Sequence, residues 1–223
     1  MCIFSRSSLL FTRIHYNIIE SILHTGESNK YMPKRAIVDI DNTLWHFCDV
    51  FYEQLRKINK SFPSPDKWTH WDIWQGYCSE ADFYRAVNVI HANQHSDSYV
   101  PYPEAKDFLI TLKENDYHIT IASHRSPDHR KQTEKWLKTH GLVYDELHLS
   151  FHKTQLLDES PDVVVDDSPQ VLEKAVEQGV MATGLLFPWN REYADNGFKL
   201  FINLHEILCY VLKQSLQRTN NGK

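Results

Sequence analysis

A doubly wound α/β architecture, a parallel sheet with helices on both faces, is what this sequence predicts. Three observations predict it. Short, near-continuous apolar runs of strand length recur at 36–40, 117–122, 162–165 and 180–186, the composition of strands covered on both faces. Amphipathic helical spacing fills the intervals, and strand–helix alternation implies parallel strands joined by right-handed crossovers. The chain of 223 residues, 42% hydrophobic and 13% aromatic, is long enough for one domain or for a core carrying an insert.

The N-terminal stretch, 1–31, differs from the rest. Leu9, Leu10, Phe11, Ile14, Ile18, Ile19, Ile22 and Leu23 fall at helical spacing. Arg13, His15 and Glu20 interrupt any membrane span, and no apolar core leads into a small-residue cleavage site. Arg6, Arg13, several serines and the lack of an acid before Glu20 would suit a mitochondrial-type transit peptide. The simpler reading starts the native chain at Met32 and treats 1–31 as an extension outside the fold.

From Met32 the alternation is regular. The run 36–40 predicts the first strand and 48–59 a helix. The region 61–100 then breaks the rhythm with Phe62, Trp68, Trp71, Trp74, Tyr77, Phe83, Tyr84 and Tyr99. Such density reads first as a small helical core, since aromatics bury large areas. Pro101-Tyr102-Pro103 restarts the pattern, with a helix over 104–115 ending at Asn115-Asp116. A strand at 117–122 and a helix at 128–139, stopped by Gly141, come next. A short strand near 146–149, a strand at 162–165 and a helix at 169–178, stopped by Gly179, continue it. The last elements are a strand at 180–186 and a helix at 203–215. The resulting division is a core of 32–47 and 101–223 with a helical cap, 48–100, inserted after the first strand.

Composition excludes several functions. A formal net charge of −5 offers no global attraction for a nucleic-acid polymer. Four scattered cysteines without a CxxC read as free thiols of a reducing, cytoplasmic setting. No GxGxxG, P-loop or Gly-x-Ser-x-Gly pattern occurs, so a phosphate site must use something other than a glycine cradle. His91 and His95 stand four apart on a helix, yet no third metal ligand lies near in sequence, and a solvated or pocket-lining role fits better.

The residues just beyond the strands carry the chemistry. After the first strand come Asp39 and Asp41; after 119–122 come Ser123, His124 and Arg125. Lys153-Thr154 lies beyond the strand near 147–149, and Asp166-Asp167-Ser168 beyond Val163-Val164-Val165. Each cluster alone reads equally well as a turn, a helix cap or a solvated loop residue. Parallel sheets, however, gather their ligands beyond the carboxyl ends of the strands. Two carboxylates one residue apart there need a cation between them or a shared proton. Carboxylates suit Mg²⁺, which takes few of them plus phosphate and water. A nucleophilic Asp39, an acid/base Asp41, a hydroxyl and a lysine together suit phosphoryl transfer.

The order Asp-x-Asp-x-Thr, Ser, Lys, Asp-Asp resembles the four motifs of the haloacid dehalogenase superfamily of phosphatases, over Met32 to about Tyr210. The resemblance implies Asp39 as nucleophile, Asp41 as acid/base, Ser123 as phosphate hydrogen-bonder and Lys153 as the third-motif lysine. It also implies a Mg²⁺ shell of Asp39, the Asp41 backbone carbonyl and Asp167, with Asp166 assisting. Within the superfamily the chain most resembles the 5'(3')-deoxyribonucleotidase-like family. The features are Asp39-Ile-Asp41-Asn-Thr-Leu-Trp-His-Phe47, the cap-sized insert, Tyr102-Pro103-Glu104-Ala105, the Lys153-to-Asp166 separation, and Phe187-Pro188-Trp189-Asn190-Arg191. Asn42-Thr43 departs from it, standing where those nucleotidases often have Gly-Val.

The expectation is therefore a Mg²⁺-dependent phosphomonoesterase acting on a small-molecule substrate, a nucleoside monophosphate, independent of membranes and compatible with a homodimer. Phe47, Trp71 and Trp74 are the candidates to stack on a base, a contact worth about 1–3 kcal/mol in nucleic-acid systems. Arg125 is the candidate for a phosphate or ribose edge. Alternatives are a capless magnesium-dependent phosphatase, against which the aromatic insert speaks, and a phosphatase of another small phosphorylated metabolite. A phospho-acceptor receiver would place its lysine last, whereas Lys153 precedes Asp166. A degenerate binding module would need a lost catalytic residue.

Overall fold

The structure, a computed structural model, describes residues 33–94 and 99–221. The N-terminal reading for 1–31, and His95, fall outside the described residues. Among the described residues, six parallel strands form one sheet: β1 Lys34–Val38, β2 Tyr117–Ser123, β3 Glu146–Leu149, β4 Val163–Val165, β5 Met181–Leu185 and β6 Lys199–Phe201. Their order is β3-β2-β1-β4-β5-β6, so the direction of winding reverses between β1 and β4. Crevices at such switch points receive ligands.

Alternating side chains divide each strand between two apolar layers. Val38, Val163 and Val165 join one cluster with Phe108, Leu109, Leu112, Trp136, Ile207 and Val211. These come from helices α3 (Ala105–Glu114), α4 (Arg130–Thr139) and α7 (Leu204–Asn221). Ile37 and Val164 join the other cluster, with Val171, Leu172 and Ala175 of helix α5 (Pro169–Glu177) and Leu157 of the 3₁₀ segment Lys153–Glu159. Gly141 and Gly179, at φ of 63° and 74°, occupy the left-handed positions that end α4 and α5.

Strand β1 starts and stops two residues earlier than the apolar run suggests. Its first residues are Lys34 and Arg35; the sheet register, not local hydrophobicity, sets its ends. Strand β6 and the five-residue helix α6 (Arg191–Asp195) carry no sequence signal that marks them. The segment between β1 and α3 contains helices α1 (Phe47–Ile58) and α2 (Glu80–Ala92), with 3₁₀ turns at Pro65–Lys67 and Ile73–Gly76. It leaves and returns at one place: a bridge joins Trp45 to Pro101, and the Tyr102 N–H donates to the Leu44 carbonyl at 2.8 Å. Its buried Phe51, Leu55, Phe62, Trp68, Ala86 and Ile90 belong to the same apolar cluster as Val38.

Among the described residues, Cys48, Cys78 and Cys209 are free thiols. Among the described residues, no helix is long and apolar enough to cross a membrane.

Candidate active site

The register sets the site. Val38 pairs with Val165 on one side and Ile121 on the other, so Asp39 and Asp166 leave adjacent strands together at the switch point. Backbone bonds hold this level: the Asp39 N–H donates to the Val165 carbonyl at 2.9 Å, and the Asp166 N–H to the Thr183 carbonyl at 3.0 Å. β5 must approach closely here. A Cβ on Gly184 would lie 1.8 Å from the Asp166 carbonyl oxygen, so only glycine fits.

Asp39, Lys153, Asp166 and Asp167 are all buried. Lys153 Nζ donates to Asp39 Oδ1 at 2.6 Å and lies 2.7 Å from Asp166 Oδ2. Burial alone would lower the Lys153 pKa, but Asp166 and Asp39 hold it above the ordinary lysine value. Asp39 is pushed up to about 7 by burial and by the Asp166 and Asp41 carboxylates, against the pull of Lys153. Asp167 is raised well above its ordinary value by burial and then by Asp39 and Asp166. One oxygen each from Asp39, Asp166 and Asp167 lies within 4.8 Å of the others, an arrangement that could hold a metal ion. A hard divalent cation fits: all donors are carboxylates, and their mutual repulsion is what such an ion relieves.

Asp41, two residues on, has a different set of partners. Arg125 grips it bidentately, Nη2 to Oδ1 at 2.6 Å and Nε to Oδ2 at 3.0 Å. Trp45 Nε1 donates to Oδ1 at 2.8 Å and Ser123 Oγ to Oδ2 at 3.2 Å. His91 Nε2, from helix α2, lies 3.2 Å from the same Oδ2. Burial would raise Asp41, yet Arg125 and His91 hold it well below the usual carboxylate range. His91 itself is lowered by burial, against the pull of Asp41, and its Nε2 is the ring nitrogen toward that carboxylate. His124 is lowered to about 3, by burial and then by Lys153.

The structure thus brings Asp39, Asp41, Ser123, Lys153, Asp166 and Asp167 together at the carboxyl end of the sheet. Arg125 joins them, though not on a substrate edge. It is fully buried, and its guanidinium is taken up by Asp41, by Thr133 Oγ1 at 3.1 Å and by Gln94 Oε1 at 3.3 Å. Phe47, Trp71 and Trp74 line one cavity of about 110 Å³, together with Asn42, Phe51, Trp68 and Trp189. Phe47 is buried and stacks on Phe51, and Trp74 packs on Phe83. Trp71, at 41% exposure, is the freest of the three.

Four contributors have roles that the sequence does not announce. Asn42 adopts a left-handed φ of 58°, which asparagine tolerates. Its Nδ2 donates to Asp167 Oδ2 at 3.1 Å and its Oδ1 accepts from the Cys48 N–H at 2.8 Å, tying the acidic loop to the start of α1. Asn190, fully buried, donates to the Asp167 and Leu185 carbonyls and accepts from the Phe187 N–H. His91 and Gln94 come from the inserted segment. The sequence marks Asn42 as a departure from the nucleotidase-like pattern, Asn190 only within the Phe187–Arg191 run and His91 only as a pocket-lining candidate; Gln94 carries no signal.

No protein-family model matches the chain. The chain is 27% identical over 158 residues to a Chlorobaculum tepidum protein described as "Putative 5'(3')-deoxyribonucleotidase", spanning 64% of this chain and 75% of that one. Among solved structures it is similar to a haloacid dehalogenase-like family hydrolase from Streptococcus pneumoniae, at 17% identity and TM-score 0.56, over 80% of this chain and 98% of that one. It is also similar to CbbY from Rhodobacter sphaeroides in complex with phosphate, at 14% identity and TM-score 0.56, over 79% and 96% of the two chains. With its all-parallel sheet, the helical segment after the first strand and these likenesses, the chain has the haloacid dehalogenase-like fold.

Proposed function

We propose that this protein is a phosphomonoesterase that works through an aspartyl-phosphate on Asp39, with a nucleoside monophosphate as substrate. The observation that carries it is the division of labour between two aspartates two residues apart. Asp39 sits against Lys153 and the Asp166–Asp167 pair, whereas Asp41 sits among hydrogen-bond donors. Contact with the lysine and with the metal-competent carboxylates suits Asp39 to attack phosphorus, and the donors around Asp41 leave it to handle the proton.

Asp39 Oδ attacks phosphorus, the bond from phosphorus to the ester oxygen breaks, and Asp41 gives its proton to that oxygen. Water then attacks the aspartyl-phosphate, Asp41 takes its proton, and inorganic phosphate leaves as Asp39 is restored. The resting, ionised Asp41 is the form ready for this second step. An arriving phosphoryl dianion opposes Arg125 electrostatically and raises the Asp41 carboxyl toward the protonated form needed first. Ser123 Oγ turns from Asp41 to a phosphoryl oxygen, and Lys153 neutralises charge on the transferring group. Mg²⁺, held by Asp39, Asp167 and Asp166 with the Asp41 carbonyl, would keep Asp39 ionised and balance charge on the phosphoryl oxygens.

The inserted segment 48–100 serves as the cap of this site, which it reaches through His91 and Gln94. Phe47, Trp71 and Trp74 offer aromatic faces to a base. The likeness to the Chlorobaculum tepidum protein supports the nucleotide reading. The free thiols of Cys48, Cys78 and Cys209 suit a cytoplasmic setting.

Asp39→Asn tests the nucleophile. Turnover of 4-nitrophenyl phosphate should fall on the order of 10³-fold or more, with the fold intact by circular dichroism; retained turnover overturns the assignment. Steady-state comparison of nucleoside monophosphates with sugar phosphates tests the substrate. The former should show the higher kcat/KM, and a clear sugar preference would reject the nucleotide reading.

A further inference from the structure

Helix α2 and the two residues after it bury two polar side chains against the core: His91 is 3% exposed and Gln94 is 0% exposed. The neighbouring buried positions of the helix are Ala86 and Ile90, so an aliphatic residue would be the ordinary occupant. Burying imidazole and amide groups costs free energy unless hydrogen bonds compensate. Both groups reach the same target by different routes. His91 Nε2 lies 3.2 Å from Asp41 Oδ2 without the alignment of a hydrogen bond, and the Gln94 amide nitrogen also has no hydrogen-bond partner, so both groups keep buried polar atoms uncompensated beside the acid/base aspartate. Gln94 Oε1 accepts from Arg125 Nη2 at 3.3 Å, and that same nitrogen donates to Asp41 Oδ1 at 2.6 Å. Thr133 Oγ1 of α4 accepts from Arg125 Nη1 at 3.1 Å, which closes the third side of the guanidinium. The plane of the Asp41 carboxylate is thereby set from two elements, one of them the inserted segment.

We propose that His91 and Gln94 are positioning residues for proton transfer, fixing the Asp41 carboxylate directly and through Arg125 so that the inserted segment completes the acid/base group. The proposal rests on the reading of Asp41 as proton donor. Neither residue touches substrate. Their action is confined to the step in which the ester bond breaks and the Asp41 proton passes to the leaving oxygen. A small misplacement of such a group is costly, because proton transfer demands hydrogen-bond geometry.

The leaving group separates this role from support of the fold. 4-Nitrophenolate departs readily without a proton, whereas phenolate needs one. With Mg²⁺ present, kcat/KM is measured on 4-nitrophenyl phosphate and phenyl phosphate for wild type, Asp41→Asn, His91→Phe, His91→Gln and Gln94→Leu. Asp41→Asn sets the scale and should lose far more on phenyl phosphate. His91→Phe, which keeps an aromatic ring beside Phe47, should lose about tenfold more on phenyl phosphate than on 4-nitrophenyl phosphate. Gln94→Leu should shift the ratio in the same direction. His91→Gln, whose amide N–H can replace Nε2–H, should restore the wild-type ratio. Equal losses on both substrates in His91→Phe and Gln94→Leu, or no loss, overturn the proposal while leaving Asp41 as the acid. Absence of discrimination in Asp41→Asn instead removes the acid assignment, and the proposal with it. Should His91→Phe fail to fold, Gln94→Leu decides by the same ratio.

Discussion

Asp39 occupies a position whose ionisation depends on what shares it. Burial and two neighbouring carboxylates bring it to about 7, although Lys153 lies 2.6 Å away. In the metal-free protein the raised pKa contributes stability that is present below the ordinary value of 3.8 and lost as pH rises through about 7. A divalent cation requires the ionised form, so its binding should release protons near neutrality, with affinity rising between about pH 5.5 and 8. Calorimetric titration of Mg²⁺ in buffers of different ionisation enthalpy measures that release. A proton count of zero and an affinity flat across this range would contradict it. At this scale residue type and position along the chain were legible: Asp39, Lys153 and the Asp166–Asp167 pair announce themselves. The partner of Arg125 did not, because a guanidinium suits a phosphate and a carboxylate equally well, and only packing chose Asp41.

The β4–β5 pair and the turn after β5 show how elements hold the acidic residues in place. Gly184 lets β5 lie against the Asp166 carbonyl, and Asn190 ties the turn to the Asp167 carbonyl at 3.2 Å. Gly184→Ala should therefore destabilise the fold by about 1–3 kcal/mol or more and weaken Mg²⁺ binding as Asp166 is displaced. Thermal denaturation with and without Mg²⁺ reads both, and an unchanged Tm would refute the close-approach argument. The main strands and helices were legible because their apolar periodicity and glycine stops coincide. Strand β6 was not, since Lys199-Leu200-Phe201 is short and half-buried and is a strand only because Thr183, Gly184 and Leu185 pair with it. Helix α2 falls inside the helical cap that the sequence predicts, but its ends do not show, because the run of aromatics there reads as a generic small core.

Across the described residues the apolar cluster on one sheet face runs from Val211 and Ile207 through Trp136 and Val38 to Phe62 and Trp68 of the inserted segment. With one continuous core and a polar link from His91 to Asp41, this part of the chain should unfold in a single cooperative transition. Tryptophan fluorescence and far-ultraviolet circular dichroism should give coincident melting curves; an earlier fluorescence transition would show the insert melting alone. The sequence by itself determined the fold class and the chemical inventory, because hydrophobic period, glycine stops and strand-end aspartates are local properties. Only the tertiary structure decided how that inventory is divided. Sheet register brought Asp39 to Asp166 and Lys153, and packing of the insert brought His91 and Gln94 to Asp41 and Arg125. Contacts between residues far apart in sequence leave no periodic trace along the chain.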